Sequence, residues 1–336
     1  KIKAGDFDES ILDATISNMK LEPATASNYG LFCMVEGQAE DNRAEVKNLT
    51  ISNATIAPSA DLGKTTSVGI VIGKSNKFAD ITNVNVTNSQ IVYANNINDA
   101  NYIGGIVGQT TTDTKITNCS VSTLSITTSG TTTNAYFGGM IGYIGSQTDV
   151  TNCSTTGVTI TYNAIANASR ISGLIGYAKG SATVPVTITG CTVTNTNINL
   201  TAGINNASYI GAFVAQTADN GQITANNAVV SPTITVGGDI VAASYIGGAV
   251  GDLAGAASNP ITTVSGLTVT SPSVAINKNS VANNCFGATF GRINTYSAAT
   301  TISVSNPSLI YNATDDPDFA LNVGSFAGYV AGNATQ

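Results

Sequence analysis

The sequence predicts an all-β chain wound as a right-handed parallel β-helix, a solenoid of about nine coils with a period of 34–40 residues. Two recurring segments and the absence of any sustained helical periodicity carry that prediction. The first segment reads Tyr-Ile-Gly-Gly-Ile-Val-Gly at 102–108, Tyr-Phe-Gly-Gly-Met-Ile-Gly at 136–142, Arg-Ile-Ser-Gly-Leu-Ile-Gly at 170–176 and Tyr-Ile-Gly-Gly-Ala-Val-Gly at 245–251. Weaker copies lie at 29–37, 67–73, 209–215, 285–291 and 322–328. The second segment places apolar residues at offsets 0, 3, 5 and 10, as in Val46, Leu49, Ile51 and Ile56, or Ile116, Cys119, Val121 and Ile126. The same offsets fit Ile188, Cys191, Val193 and Ile198; Val150, Cys153, Thr155 and Ile160 keep them with one polar member. Ile16, Met19, Leu21 and Ala26 read as the first copy, and the copy at Ile223 needs one inserted residue.

These offsets predict a bent strand. A straight strand keeps one parity on one face, and the step from 0 to 3 breaks parity, so the chain turns between them. Offset 2 holds Asn18, Asn48, Asn83, Asn118 and Asn152, then Gly190 and Gly266, residue types that tolerate a left-handed backbone. A second bend is expected between offsets 5 and 10, where Pro272 and Pro307 fall at offset 8. The glycine segment then reads as one further strand, giving three faces per coil. Along it Ile103, Phe137, Ile171 and Ile210 point inward, as do Val107, Ile141, Ile175 and Val214 four residues on. Gly105, Gly139, Gly173 and Ala212 between them mark an interior with room only for small side chains. Stacked at about 4.8 Å, such coils make a rod of roughly 40 Å, and parallel crossovers favour the right-handed coil.

The whole of 1–336 reads as a single domain, with 1–28 a first partial coil or cap, 29–328 the repeated coils and 329–336 a tail. The abrupt start and stop point to further domains of a longer chain. Composition removes several functions. Thirteen Lys and Arg against 20 Asp and Glu give a net charge of −7, which argues against a nucleic-acid partner, since that needs a basic stripe. No His is present, so the commonest general base and metal ligand are missing. Apolar runs are far too short for membrane insertion.

Tyr29-Gly-Leu-Phe at 29–32 followed by Val46-Lys-Asn-Leu-Thr-Ile-Ser-Asn at 46–53, with the Gly-Gly-Ile-Val-Gly strands and the strings Ile-Thr-Asn-Cys at 116–119 and Val-Thr-Asn-Cys at 150–153, resembles the GLUG-type and related β-helix repeats of bacterial surface adhesins, especially those of gut Bacteroidetes. The opening Gly5-Asp-Phe-Asp is similar to the start of a coil in such proteins, with Glu9 in place of the expected Gly. The resemblance extends over most of residues 6–330 and implies a right-handed β-helix, export, a place on the bacterial cell surface and no catalytic residues.

Each candidate site has a plain structural counterpart. Gly69-Ile-Val-Ile-Gly-Lys-Ser has one residue too few between its glycines for a phosphate loop, and no helix follows. Cys119, Cys153 and Cys191 share one repeat position, where parallel side chains lie alongside each other and form a buried thiol ladder. Glu36, Glu40, Asp41 and Glu45, and Asp315, Asp316 and Asp318, could hold calcium but read as solvated loops, so no metal and no cofactor is expected. Asn-x-Ser/Thr sequons, as at Asn53, Asn167 and Asn312, are expected by chance in so Asn- and Thr-rich a chain. Regular Thr-x-Thr ladders, a sign of ice binding, do not recur at fixed offsets.

Aromatics give the best binding site. Tyr102, Tyr136, Tyr209 and Tyr245 share the position before the inward Ile or Phe, with Arg170 in the intervening coil. They predict an outward stripe beside Ile106, Met140, Leu174 and Phe213, suited to a glycan or a host surface protein, unless a loop or neighbouring domain covers it. The function expected is that of a non-enzymatic, exported adhesin-like β-helix presenting this face. The alternatives are a polysaccharide-processing β-helix enzyme, whose paired acids the sequence does not display, and a purely structural stalk.

Overall fold

The computed structural model describes residues 14–25, 27–97, 101–163, 166–256, 261–280, 283–312 and 322–331. Gly5-Asp-Phe-Asp, Glu9, Ala26 and the Asp315, Asp316 and Asp318 cluster lie outside them. The described chain is a parallel β-solenoid. One coil runs through strands Thr114–Thr117 and Ser120–Thr128, then Tyr136–Gly138 and Ile141–Ile144, before Thr148–Thr151 begins the next. Among the described residues the first group of strands forms one sheet of 22 strands that wraps around corners, and the last two strand types form sheets of nine strands each. No described helix is long and apolar enough to cross a membrane.

Register follows the repeat offsets. Val46 pairs with Ile81, Leu49 with Val84 and Ile51 with Val86; Ile188 pairs with Ile223 but Val193 with Val229, which locates the one-residue insertion. The corner residues have the backbone expected of them. Asn48, Asn83, Asn118 and Asn152 take φ of 53–55°, and Gly190 and Gly266 take 66° and 63°. The second bend has the same device two residues after the inward residue at offset 5, for Asn88, Thr123, Gly157 and Asn195 take φ of 49°, 54°, 64° and 52°.

A third corner of this kind precedes several copies, so that left-handed residues there come every five positions: Phe78, Asn83, Asn88; Asp113, Asn118, Thr123; Gln147, Asn152, Gly157. Each is followed by a buried residue one and three positions on, as Thr114 and Ile116, Cys119 and Val121, Leu124 and Ile126 follow in the second set. This five-residue step corrects the reading of the first copy. Ile16 pairs with Ile51 and Leu21 with Ile56, so Ile16 sits at offset 5 and not 0, and Asn18 (φ 60°) turns the second corner and not the first. Offsets 0, 3, 5 and 5, 8, 10 look alike because both obey the same five-residue pattern.

The glycine segment also departs from expectation. It is two strands meeting at a bulge, not one straight strand. Ile106 N–H and Val107 N–H both donate to Met140 O (2.9 and 3.1 Å), Met140 and Ile141 both to Leu174 O, and Phe213 and Val214 both to Ala249 O. The bulge breaks parity, so Ile106, Met140, Leu174 and Phe213, expected beside the outward stripe, are fully buried. Ile103 and Val107 remain inward as expected. A Cβ on Gly105 would approach Leu124 Cδ2 to 2.8 Å and one on Gly139 would approach Val158 Cγ1 to 3.0 Å, which is why that position stays small.

Side chains also stack by register. Cys119, Cys153 and Cys191 are buried free thiols that donate to the carbonyls of Thr117, Thr151 and Thr189 at 3.3–3.4 Å. The two flanking thiols push the Cys153 thiol far up. Outward Ser and Thr columns do recur at fixed offsets: Thr50, Ser120, Ser154, Thr192, Thr268 and Ser303 share one column, and Thr87, Ser122, Thr156, Thr194 and Thr270 another. Exchange of Ser for Thr, with Asn85, Ala228 and Val230 interrupting, hides them from a search for Thr-x-Thr. Inside the coils Tyr93 and Tyr162 pack edge-on against Phe137 at 6.4 and 5.2 Å, and among the described residues the Tyr93 hydroxyl has no hydrogen-bond partner.

Asn118→Val forces a β-branched residue into the left-handed region and is expected to cost about 1–2 kcal/mol, against less than about 1 kcal/mol for Asn118→Gly. Equal melting temperatures for the two would contradict the corner assignment. Val121→Asp places an unpaired carboxylate among buried side chains and is expected to cost roughly 3 kcal/mol or more in denaturant titration. Burial raises the Tyr93 and Tyr162 phenols above their ordinary value of 10.0. Their contribution to stability is therefore whole below pH 10 and is lost as the pH rises above it, when only the unfolded chain ionises. Tyr93→Phe with Tyr162→Phe is expected to keep or raise neutral-pH stability and to flatten that alkaline decline, followed by melts between neutral and alkaline pH.

Candidate functional site

The bulge shapes the outer surface as well as the core. It folds the tyrosine strand and the strand after it toward each other, with glycine backbone as the floor between them. A Cβ on Gly104 would lie 2.1 Å from Val107 O and 2.9 Å from Gly142 N, and one on Gly142 would lie 2.4 Å from Ile103 N. No side chain fits at these two positions, so the strands close into a cleft running along the solenoid.

The structure brings the predicted residues into one column on the first wall. Tyr102 pairs with Tyr136, Tyr136 with Arg170, Arg170 with Tyr209 and Tyr209 with Tyr245. All five are half-buried. The second wall was not foreseen. It carries Lys74, Gln109, Tyr143, Tyr177, Gln216, Asp252 and Arg292 in consecutive register. The signal was present, for each of these lies seven residues after a member of the first column. A straight-strand reading puts that position, an odd number of residues on, on the inward face; the bulge inverts the parity and turns it out beside the tyrosines.

The rings interlock across the cleft. Tyr102 and Tyr136 are 5.0 Å apart at 30°, Tyr102 and Tyr143 5.2 Å, Tyr136 and Tyr177 5.7 Å, and Tyr209 and Tyr245 stack at 5.4 Å. Arg170 lies between the two tyrosine groups, its guanidinium 4.8 Å from the Tyr136 ring, 5.0 Å from Tyr209 and 5.2 Å from Tyr177. Its Nε donates to Gln216 Oε1 (2.9 Å) and its Nη1 to Asn134 Oδ1 (2.9 Å) and Ala168 O (3.1 Å). Arg292 sits 3.7 Å over Tyr245 and donates from Nε and Nη2 to Asp252 at 2.7 and 2.9 Å; Gln216 Nε2 donates to the same carboxylate at 3.1 Å. Asp252 is fully buried. Burial pushes the Tyr143, Tyr177 and Tyr245 phenols up, so these rings are neutral at physiological pH.

Two cavities interrupt the packed rings. Where the first column passes from Tyr102 to Ser67 and Asn28, a cavity of about 350 Å³ opens, lined by Ser27, Asn28, Thr65, Lys74, Tyr102 and Gln109. A second, of about 230 Å³, lies where Tyr245 gives way to Cys285 and Asn322. The acids expected to read as solvated loops behave so in part: Glu36 lies 3.7 Å from Lys77 and Glu45 3.0 Å from Lys47. Among the described residues no three His, Cys, Asp or Glu side chains come together as a metal site.

Fold and cleft define a repeat protein, a parallel β-solenoid with an aromatic and cationic groove on one side. The GLUG motif matches residues 99–127, which span the Tyr102 strand, the bulge and the Asn118 corner of one coil. Motif and solenoid together fit a surface β-helix protein. No curated protein and no solved structure matches the chain.

Arg170→Ala is expected to destabilise the protein by about 2–4 kcal/mol, through the lost ring contacts and the orphaned Gln216 and Asn134. Arg170→Lys should recover less than half, because an ammonium lacks the planar fork that serves both partners. An unchanged thermal melt for Arg170→Ala would contradict its role as the clamp between the two tyrosine groups.

Proposed function

We propose that the chain is a non-catalytic, exported β-helix of a bacterial cell surface that holds glycans in the tyrosine cleft. The observation that carries this reading is the polar cavity opening at the end of the ring column, where Tyr102 stands beside Lys74, Gln109 and Asn28. Sugar binding asks for an aromatic ring next to several hydrogen-bonding groups in a concave site, and those are the groups present. The stripe gains its affinity there and not along its length, because between Tyr102 and Tyr177 the rings are engaged with one another.

A binding role without turnover is supported by the state of the cleft's carboxylate. Glycoside hydrolysis works with two carboxyl groups flanking the bond. Asp252 is fully buried and held by three donors from Arg292 and Gln216. Its neighbours in the column are Gln216 and Arg292, not a second acid.

A glycan array probed with the purified chain is expected to give saturable binding with the glycan recovered intact. Tyr102→Ala should weaken that binding by roughly 2- to 10-fold, the worth of one stacked ring. New reducing ends or unsaturated products would overturn the non-catalytic reading, and a silent array would overturn glycan binding.

A further inference from the structure

The cavity at Tyr102 has a chemical bias that the rest of the cleft lacks. Both arginines of the cleft are committed, Arg170 to Gln216 and Asn134 and Arg292 to Asp252. Lys74 differs from them. It is half-buried on the second wall, next to Gln109 in register, and among the described residues it makes no ion pair. The other cavity-lining side chains are uncharged.

Gln109 is pre-oriented. Ser67 Oγ donates to its Oε1 at 3.2 Å, which tethers the amide beside Lys74, and its Nε2 carries two further N–H donors. Lys74 and Gln109 thus present an ammonium and an amide donor beside one another, against the Tyr102 ring, with Ser27, Asn28 and Thr65 closing the polar wall. A neutral sugar would use the ring and the amides and leave the ammonium partly desolvated with nothing to compensate it. A sugar bearing an anionic group would satisfy all of them.

Resting on the glycan reading above, we infer that this cavity takes an acidic sugar residue, a pyranose carrying a carboxylate or a sulfate ester, with the anion on Lys74 and Gln109 and the ring on Tyr102. The net charge of −7 does not oppose this, because at physiological ionic strength distant charges are screened beyond about 8 Å. At about 350 Å³ the cavity is at the small end of ligand sites, suited to one residue of a longer chain.

The test is calorimetric titration of the purified chain with three oligosaccharides of equal length: neutral galactose units, galacturonic acid units, and the sulfate ester of the neutral chain. Wild type is expected to bind an acidic oligosaccharide roughly tenfold more tightly than the neutral one, as a charge-assisted hydrogen bond supplies. Lys74→Gln should erase that preference, and roughly 0.5 M salt should erase it in wild type. The order of the two acidic ligands identifies which anion the site prefers, and either order supports the inference. Equal binding of neutral and acidic chains by wild type, or an acid preference that survives Lys74→Gln, would overturn it while leaving glycan binding intact. Failure of all three to bind, with none captured on the array, would remove the glycan reading itself.

Discussion

The structure depends on one constraint, parallel in-register stacking. Each coil donates and accepts its backbone hydrogen bonds along the rod, so a residue is surrounded by its own counterparts above and below. Whatever conformation one coil adopts at a corner, the next must repeat or the ladder breaks. That is why left-handed residues recur at five-residue intervals in coil after coil, from Phe78, Asn83 and Asn88 to Tyr296, Thr301 and Asn306. Most are Asn or Gly, the cheapest choices. Where a bulkier residue such as Tyr296 or Thr301 takes the same φ, the stack has imposed it.

The same constraint decides what was legible in the sequence. Inward positions such as Ile81, Ile116 and Ile188 recur at fixed spacing and were readable from the chain alone, as was the corner at Asn118. What escaped was anything that depends on a backbone departure with no residue signature. The bulge at Ile106 and Val107 is one: Gly105 is explained equally well by a tight interior, and nothing in Ile-Val says that both side chains turn in. Misplacing it put Ile106 outside and concealed the second wall from Tyr143 to Arg292. The register of Ile16 failed for another reason, since a five-residue subperiod makes a shifted alignment nearly as good as the true one.

Stacking like on like is favourable for Ile, Cys or Tyr and unfavourable for charge. The cleft resolves this by alternation. Arg170 interrupts the tyrosines, Asp252 is followed by Arg292, and Gln216 bridges between Arg170 and Asp252. At the other end Arg43 does similar work, spanning coils to reach both Asp80 and Asp113 at 2.7 Å. In a chain with only 13 cations, three of the arginines are spent on holding coils together.

These pairings bear on where a ligand could sit. A ring column whose members face one another along the rod has its faces engaged by neighbours, and the arginine between the rings already donates to three acceptors. Regularity therefore leaves the middle of the cleft filled by its own side chains, and on the proposed glycan reading recognition falls to the coils where the repeat lapses. At Ser67 the tyrosine is replaced by a hydroxymethyl group and at Lys74 the second wall carries a cation in place of a ring. These two departures from the pattern, in one coil, create the cavity. In a solenoid built by repetition, the positions that fail to repeat are where specificity has room to arise.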